Sequence, residues 1–184
     1  MARSNEITEK HRGNRRKTEL MTGSSEPPQI RRATLDDAAL LAELNRFVQD
    51  IHAEHRPDLF KGDPSSEELT AGFRDLLGRE SVRVLIAELP DGRPAGYAMA
   101  TLNERTGSAL THAGSFILLD HLAVAPEATR RGVGTALLNA VRETGRQAGC
   151  TRFMTEVWDF NSTAVAFFEA SGFSPAWRRL DQPL

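Results

Sequence analysis

The sequence predicts a mixed α/β fold in one domain. Runs of β-branched and aromatic residues alternate with segments whose apolar residues recur at helical spacing. A turn at residues 90–93 lies between two strand-like runs and predicts an antiparallel hairpin. The 184 residues, of which 40% are hydrophobic and 26% charged, suit a single domain, and the chain has no internal repeat.

The first 28 residues differ in composition from the rest. Basic side chains are interspersed with acidic ones, apolar residues are few, and the segment ends in Ser-Ser-Glu-Pro-Pro. Such a segment cannot offset the entropy lost on ordering, so we expect a disordered basic and polar tail at 1–28 before a domain at 29–184. The acidic residues favour a solvated tail over an arm that binds nucleic acid.

The elements follow from local signals in chain order. Residues 29–33 are expected to form a strand, and Thr34 begins a sequence typical of a capping box for the first helix. The apolar residues of that helix recur at helical spacing and predict a core stripe of Leu40, Leu41, Leu44, Phe47, Val48 and Ile51. A second helix is expected from about Ser66 to Leu77, capped by Ser65 or Ser66 and ended by Gly78.

The second half alternates strands and helices. The expected elements are strands at 82–88, 95–102 and 115–124, a helix after Gly132, a strand at 151–158, a helix capped by Asn161, and a last strand at 173–180.

A glycine-spaced turn opens the helix that follows the strand at 115–124. Arg130 and Arg131 precede Gly132 and Gly134. Backbone N–H groups at a helix start lack intrahelical partners and lie where the helix dipole is positive, so such a turn binds phosphate. The glycines permit close backbone approach and the arginines add cationic forks, which predicts a pyrophosphate site.

Two better-known phosphate loops do not fit this turn. A dinucleotide fingerprint needs a third glycine where Leu137 stands, and a P-loop needs a Gly-Lys-Ser/Thr ending. A glycine turn without any ligand is the plain structural alternative.

Two segments resemble the GNAT superfamily of N-acetyltransferases. Leu122-Ala-Val124 followed by Thr129-Arg-Arg-Gly-Val-Gly134 is similar to the family's motif A, although Thr129 replaces the usual Gln or Arg. Residues 157–173 are similar to motif B. The resemblance spans roughly residues 29–181. It implies a mixed, mostly antiparallel sheet of about six to seven strands, splayed at its centre and flanked by about four helices.

The resemblance implies acetyl-CoA as the co-substrate. Its expected contacts are Leu122, Ala123, Val124, Arg130, Arg131, Gly132, Val133, Gly134, Thr135, Asn161, Phe167 and Phe168. The pyrophosphate would bind the N–H groups of residues 130–135, the pantetheine arm would pair with the backbone near Leu122 and Val124, and the Val124 N–H would polarise the thioester carbonyl. Asn161 is equally well interpreted as a helix cap, and the two phenylalanines as core residues.

The resemblance also bears on proton transfer. Phe168 stands where many family members have a tyrosine that protonates the departing CoA thiolate. A thiol that titrates near ~8.5 leaves without such help, whereas an alkylamine near ~10.4 must first lose a proton. The candidate bases are Asp120, then Glu156, then His121, which faces away from Asp120 under strict alternation unless a bulge intervenes. A structural carboxylate satisfied by backbone or by Arg105 is the alternative for Asp120.

The implied reaction is acetyl transfer to a primary amine of a small molecule or a peptide, by direct attack in a ternary complex. Candidates for the acceptor pocket are His52, Glu54, His55, Asp58 and Phe60. The two histidines could hold a metal ion, but a polar pocket rim is favoured and no metal site is expected. A non-catalytic acyl-CoA-binding or sensing module, or a structural protein with an empty turn, would be the competing classes.

Composition limits the partners and the location. A net charge of −2 provides no general field for nucleic acid. Cys150 is the single cysteine, so it cannot form an internal disulfide and is interpreted as structural. No apolar run approaches the ~20 residues of a membrane span, and no signal peptide is apparent. We expect a cytoplasmic protein without a membrane partner. The oligomeric state is open, and the family resemblance is compatible with a homodimer.

Overall fold

The computed structural model describes residues 26–182. Its strands are β1 (Gln29–Arg32), β2 (Val82–Glu88), β3 (Pro94–Arg105), β4 (Gly114–Val124) and β5 (Arg152–Thr155), and its helices are α1 (Ala38–His55), α2 (Ser66–Leu77), α3 (Val133–Gln147) and α4 (Ser162–Ala170). The strands form one sheet in chain order, with β1 to β4 antiparallel and β4 parallel to β5. The predicted tail lies outside the described residues up to position 25.

The helix starts confirm the capping signals. The Ser65 hydroxyl accepts from the Glu68 amide at 3.2 Å, and the Glu68 carboxylate accepts from the Ser65 amide at 3.1 Å, which is the reciprocal capping box. The box at Thr34 caps a short 3₁₀ turn, Leu35–Asp37, that leads into α1. Side-chain acceptors thus satisfy amides that a helix start leaves free.

The sheet has a hydrophobic core on each face. One core packs the α3 and α4 side chains Leu137, Leu138 and Phe168 against Ile117 and Leu119 of β4. The other packs α1 and α2 against Ile86, Tyr97, Met99 and Ala123. The predicted stripe of α1 holds at Leu41 and Leu44 but fails at Phe47 and Ile51, whose exposed fractions are 39% and 42%. The last turns of α1 extend past the edge of its core, so helical spacing alone overestimated the buried length.

A bulge interrupts β4 at Asp120. Met99 of β3 lies opposite His121, and Ala100 lies opposite Leu119, so Asp120 is the extra residue. Before the bulge, Ile117 and Leu119 face α3, whereas His121 and Ala123 beyond it are on the side of α1 and α2. The bulge thereby reverses which residues of β4 face which core.

The sheet is open on one side of β4. The parallel pairing with β5 ends at Leu119 and Thr155, while β4 continues against β3 as far as Val124. The observed strand β5, at Arg152–Thr155, is therefore shorter than the strand predicted at 151–158. Beyond Thr155 the chain leaves the sheet, which agrees with the splay implied by the family resemblance.

The strand predicted at 173–180 was wrong. Within the described residues this segment has no strand pairing, so the sheet has five strands instead of six to seven. Phe173 packs its ring against Phe153 of β5, but Pro175 lacks a backbone donor, and Trp177 and Leu180 are 57% and 87% exposed, so the rest of the segment does not join the sheet. None of the helices within residues 26–182 combines the length and apolarity that a membrane crossing requires.

Candidate active site

The turn that leads into α3, residues 130–135, contains left-handed backbone, and we call this turn the mouth of α3. Gly132 caps the helix at φ 79°, and Arg130 is the one described non-glycine residue with positive φ, at 59°. The Gly132 carbonyl accepts from the Ala136 amide at 2.9 Å, so the first-turn amides of Val133, Gly134 and Thr135 remain available to a ligand. Arg130 and Arg131 are exposed beside them. The geometry agrees with the anion site that the glycine spacing predicts.

Gly134 brings three elements together. A Cβ added there would lie 3.4 Å from the Phe167 ring of α4 and 3.7 Å from Cγ2 of Val124 at the end of β4. These are ordinary van der Waals distances, so a methyl group would fit between the three elements. The packing does not by itself require glycine, and the close approach of a ligand stays the predicted reason for it.

Asn161 and Phe168 serve the structure of α4. The Asn161 side chain accepts from the Ala164 amide at 3.0 Å and caps the helix. Phe168 is buried, with its ring 5.4 Å from Phe167 and 5.5 Å from Phe173. The cap and core interpretations are confirmed, and a contact of either residue with the co-substrate stays a prediction.

The end of β4 carries the predicted pantetheine contacts. Leu122 and Val124 pair with Ala98 and Gly96 of β3, and their side chains pack against the core that contains α3. Ala123 is buried on the opposite face. Their other backbone edge meets no strand among residues 26–182, because β5 has already ended. An extended ligand could lie along that edge.

Asp120 projects from the bulge towards α1 and α2. The Thr101 hydroxyl, on the same face of β3 as Tyr97 and Met99, donates to its Oδ2 at 2.6 Å. The side chain keeps access to solvent, yet the surrounding protein reduces its hydration and raises the pKa of the carboxyl. The Thr101 bond opposes this rise, and the nearby Glu156 charge adds to it. Arg105 is not the partner, since its Nε donates to the carbonyl of His112.

His121 lies on the same face as Asp120. Its Nδ1 is 3.0 Å from the Tyr97 hydroxyl, which donates to Oδ1 of Asn45 at 2.7 Å. Burial, reinforced by His52, lowers the pKa of His121 to about 4, so the ring is neutral near pH 7. Strict alternation would have turned the two residues to opposite faces; the bulge unites them.

Glu156 follows β5 directly and completes the group of candidate bases. The preceding residue, Thr155, pairs with Leu119, one residue before Asp120. The Glu156 carboxylate lies 3.9 Å from the Arg179 guanidinium. The side chain is 62% exposed. The structure therefore brings Asp120, His121 and Glu156 to one side of the opening between β4 and β5.

Five aromatic rings line the neighbouring surface. They come from the end of α1 (His52, His55), the loop after it (Phe60) and the loop between β5 and α4 (Trp158, Phe160), and we call them the aromatic cluster. The ring of Phe160 stacks on His55 at 4.4 Å and on Trp158 at 5.7 Å. Arg56 lies 5.1 Å above the Trp158 ring. Sequence reasoning found the α1 side of this cluster and missed Trp158 and Phe160.

The remaining pocket candidates have simpler surroundings. Asp58 is an ion-pair partner of Arg56 at 2.8 Å, and Arg56 also contacts Asp181 at 2.9 Å. Glu54 is exposed. Across residues 26–182, no group of three or more His, Cys, Asp or Glu side chains is arranged to hold a metal ion.

Comparison with known proteins agrees with this geometry. The model of the Acetyltransferase (GNAT) family matches residues 48–173. The aminoglycoside N(6')-acetyltransferase type 1 of Stenotrophomonas maltophilia is 32% identical over 82% of this chain and 89% of that protein. The type 1 enzyme of Klebsiella aerogenes is 36% identical over 50% of this chain, and the match spans only 59% of that relative.

A solved structure repeats the fold. An aminoglycoside N-acetyltransferase in complex with CoA superposes with a TM-score of 0.66 at 21% identity, covering 85% of this chain and 94% of the other. The chain therefore belongs to the GNAT family of acetyltransferases, acyltransferases that take the acetyl group from acetyl-CoA.

Proposed function

We propose that this protein transfers the acetyl group of acetyl-CoA to a primary amine of a small molecule by direct attack in a ternary complex. The bulge in β4 is the observation that carries this proposal. It turns Asp120 and His121 to one face, immediately beyond the point where β4 loses β5. An amine on that face and a thioester along the open edge of β4 would meet beside the carboxylate.

The donor would lie between α3, α4 and the end of β4. Its pyrophosphate would accept hydrogen bonds from the amides of residues 130–135, with Arg130 and Arg131 as exposed cationic partners. The pantetheine arm would pair with the free backbone edge of Leu122 to Val124 and pass Phe167, which lies beside Gly134. The Val124 amide would then polarise the thioester carbonyl.

The proposed general base is Asp120. An alkylamine with a pKa near ~10.4 requires about 4–5 kcal/mol to reach its nucleophilic form at neutral pH. Reduced hydration raises the pKa of Asp120, which makes its carboxylate a better proton acceptor than an ordinary aspartate. Glu156, which is more exposed and lies near Arg179, is the second candidate.

No tyrosine is available as a general acid at the family position. Phe168 is buried there, and Tyr97 is the single tyrosine of the chain. The Tyr97 hydroxyl donates to Asn45, and burial raises its pKa. The CoA thiolate would therefore leave without a tyrosine proton, which its thiol pKa of ~8.5 allows.

The acceptor class that we favour is an amino sugar carrying several amines. Two relatives are named aminoglycoside N(6')-acetyltransferases. Asp120 and Glu156 provide carboxylates for ammonium groups, and the aromatic cluster provides flat apolar surface for the faces of a sugar ring. A peptide lysine offers one amine on a flexible stem and would use less of this surface.

An amine panel tests the proposal. Free thiol release from acetyl-CoA would be measured with aminoglycosides, simple alkylamines and lysine peptides, and acetylated products would be identified by mass. We expect turnover that depends on the amine and is fastest for aminoglycosides. Turnover with lysine peptides alone would contradict the acceptor class, and no turnover with any amine would contradict the proposed function.

The variant Asp120→Asn tests the base. Asn keeps the size of the side chain and can still accept from Thr101, but it cannot take a proton. We expect kcat to fall by about 10²-fold or more with little change in acetyl-CoA affinity, because a general base contributes about this much. Glu156→Gln, directly after β5, serves as the matched control. Full activity of Asp120→Asn together with loss in Glu156→Gln would transfer the role to Glu156.

A further inference from the structure

Two buried side chains and one partly buried histidine form a hydrogen-bonded chain that the proposed chemistry does not use. Asn45 of α1, Tyr97 of β3 and His121 of β4 join in that order. Among residues 26–182, Asn45 is the one buried polar or charged residue that is not aromatic, at 6% exposure, and Tyr97 has none of its surface exposed. A polar chain in an otherwise apolar core is costly to bury, so its direction and end point merit an explanation.

The direction of this chain follows from counting protons. A phenol carries a single hydrogen, which Tyr97 donates to the Asn45 oxygen. With the Asn45 amide in this orientation, the Tyr97 oxygen can only accept from His121, which places the imidazole proton on Nδ1. The two distances agree, because 2.7 Å is usual for an O–H···O bond and 3.0 Å for an N–H···O bond.

A proton on Nδ1 leaves Nε2 of the neutral ring as an acceptor. Nε2 lies on the far side of the imidazole from Tyr97 and has no hydrogen-bond partner among the described residues. Among the described residues, no fully buried side-chain nitrogen or oxygen lacks a hydrogen-bond partner. Because Nε2 has no such partner, it lies on the solvent-exposed part of His121. The same face of β4 carries Asp120, whose carboxylate is also open to solvent.

We propose that Asn45 and Tyr97 are positioning residues that hold His121 in its Nδ1–H tautomer, so that Nε2 accepts a hydrogen bond from the acceptor amine. This inference rests on the proposed function. The bound ammonium group has three N–H bonds and a fourth bond to its carbon. One proton passes to Asp120, and the neutral amine then turns about its C–N bond so that its lone pair faces the thioester carbon while one of its two remaining N–H bonds donates to His121 Nε2. The new C–N bond replaces the C–S bond, CoA leaves as its thiolate, and the second proton lost by the nitrogen passes to solvent.

A neutral acceptor suits this position better than a charged one. A protonated His121 would repel the incoming ammonium group and would offer only donors. Phe73 of α2, Tyr97 of β3 and His52 of α1 lie around the ring, and none of them is an acid. The Asp120 carboxylate on the same face accepts from Thr101, and burial still lowers the pKa of His121. The two side chains would therefore have different roles. The Asp120 carboxylate takes the proton, and the His121 imidazole orients the amine nitrogen.

The tautomer is measured directly by ¹⁵N NMR of histidine-labelled protein at neutral pH, with His121→Ala used to assign the signal among the five histidines. We expect a protonated Nδ1 and an unprotonated Nε2. In Asn45→Leu, which removes the acceptor at similar size, Tyr97 should donate to Nδ1 instead and the tautomer should reverse. Asn45→Asp keeps an oxygen acceptor and should retain the original tautomer.

Kinetics of the same variants test the amine contact. Asn45→Leu should lower kcat/KM for the amine by about tenfold, in line with the loss of one hydrogen bond, and leave the KM for acetyl-CoA unchanged. Asn45→Asp should recover most of that loss. If Asn45→Leu does not fold, Tyr97→Phe replaces it, with an expected loss of the single tautomer and the same kinetic change.

Three results would overturn the inference. These are a proton on Nε2 in the wild-type protein, an unchanged tautomer in Asn45→Leu, and a reversed tautomer with unchanged amine kinetics. A protein that acetylates no amine would contradict the proposed function and the amine contact together. The NMR spectra report the tautomer of His121 whether or not the protein turns over an amine. A failure of the tautomer inference is therefore distinguishable from a failure of the proposed function.

Discussion

A single carboxylate, that of Asp120, combines two opposing influences on its proton affinity. Reduced hydration and the Glu156 charge raise the pKa, whereas the Thr101 hydroxyl lowers it by donating to the ionised form. The net result is a raised pKa on a side chain that solvent still reaches. A base of this kind can pass its proton to water after each turnover.

The pH dependence of kcat should report that balance. With Asp120 as the base, activity requires its ionised form, so kcat should rise with pH through one ionisation to a plateau. No falling limb from a tyrosine is expected, because Phe168 has no hydroxyl and Tyr97 is bonded to Asn45. Thr101→Val should move the rising limb to higher pH, because it removes the donor that favours the carboxylate.

The measurement is kcat from pH 4 to 10 at saturating substrates for both proteins. Ser108→Ala, which alters a hydroxyl in the loop between β3 and β4, is the control and should leave the limb in place. A limb that Thr101→Val does not move would mean that another group controls the rise.

At the scale of secondary-structure elements, the mouth of α3 depends on left-handed backbone. Gly132 has φ 79°, and an added Cβ there would meet no atom within 4 Å. Gly149, after α3, has φ 75° and equally open surroundings. The two positions thus share a backbone constraint, but Gly132 lies at the N-cap of α3, where the proposed phosphate site is, and Gly149 lies beyond the opposite end of the helix.

Gly132→Ala and Gly149→Ala should therefore separate folding from binding. Each should lower the free energy of unfolding by about 1–2 kcal/mol, the usual cost of a left-handed non-glycine residue. Only Gly132→Ala should also weaken CoA binding, because its methyl group projects where the pyrophosphate approaches the amides. Calorimetric titration with CoA and urea unfolding measure both effects. Equal CoA affinities for the two variants would place the pyrophosphate elsewhere.

The start of α1 is tied to the sheet by ion pairs. Arg31 of β1 contacts Asp37 at 2.8 Å and Glu88 of β2 at 2.7 Å. Hydrogen bonding to Arg31 lowers the pKa of Asp37 to about 2. A depressed carboxyl pKa stabilises the fold above the unfolded value near ~3.9, and this stabilisation is lost as pH falls towards 2.

Asp37→Asn should therefore be less stable near neutral pH by roughly 1 kcal/mol, a modest value because Arg31 is partly exposed. Urea unfolding at pH 7 and at pH 2.5 measures the difference, which should shrink at the lower pH. Asp36→Asn, at the neighbouring position, is the control. A difference that stays constant with pH would exclude the ion pair as its source.

At the scale of the whole molecule, the sheet separates two functions. The face that packs α3 and α4 carries the proposed phosphate site, and the face that packs α1 and α2 carries Asp120 and His121. The opening where β5 ends connects them. A reaction between two ligands, one from each side, needs such an opening through the sheet.

This arrangement predicts that the domain works without the segment before β1. Gln29 pairs with Glu88 as the first strand residue, and every candidate site residue follows it. A protein that starts near Gln29 should keep kcat and both KM values. Turnover of the truncated and full-length chains with acetyl-CoA and the best amine measures this. A folded but inactive truncated protein would assign the segment a role in the site.

The sequence by itself determined the features that depend on near neighbours. The capping box at Thr34, the cap at Ser65 or Ser66, the cap at Asn161 and the glycines at 132 and 134 each act within one helical turn, so their spacing is sufficient evidence. Hydrophobic runs likewise identified β1 to β4 and the start of β5, since side-chain patterning is local.

Only the tertiary structure decided where distant segments meet. The bulge at Asp120 depends on the register of β4 against β3, and no pattern of single residues specifies a register shift. Phe160 meets His55, and Asn45 meets Tyr97, across stretches of chain whose path is set by packing of helices on the sheet. Residues 173–180 carry strand-like residues but find no strand to pair with, because pairing requires a partner edge as well as a propensity.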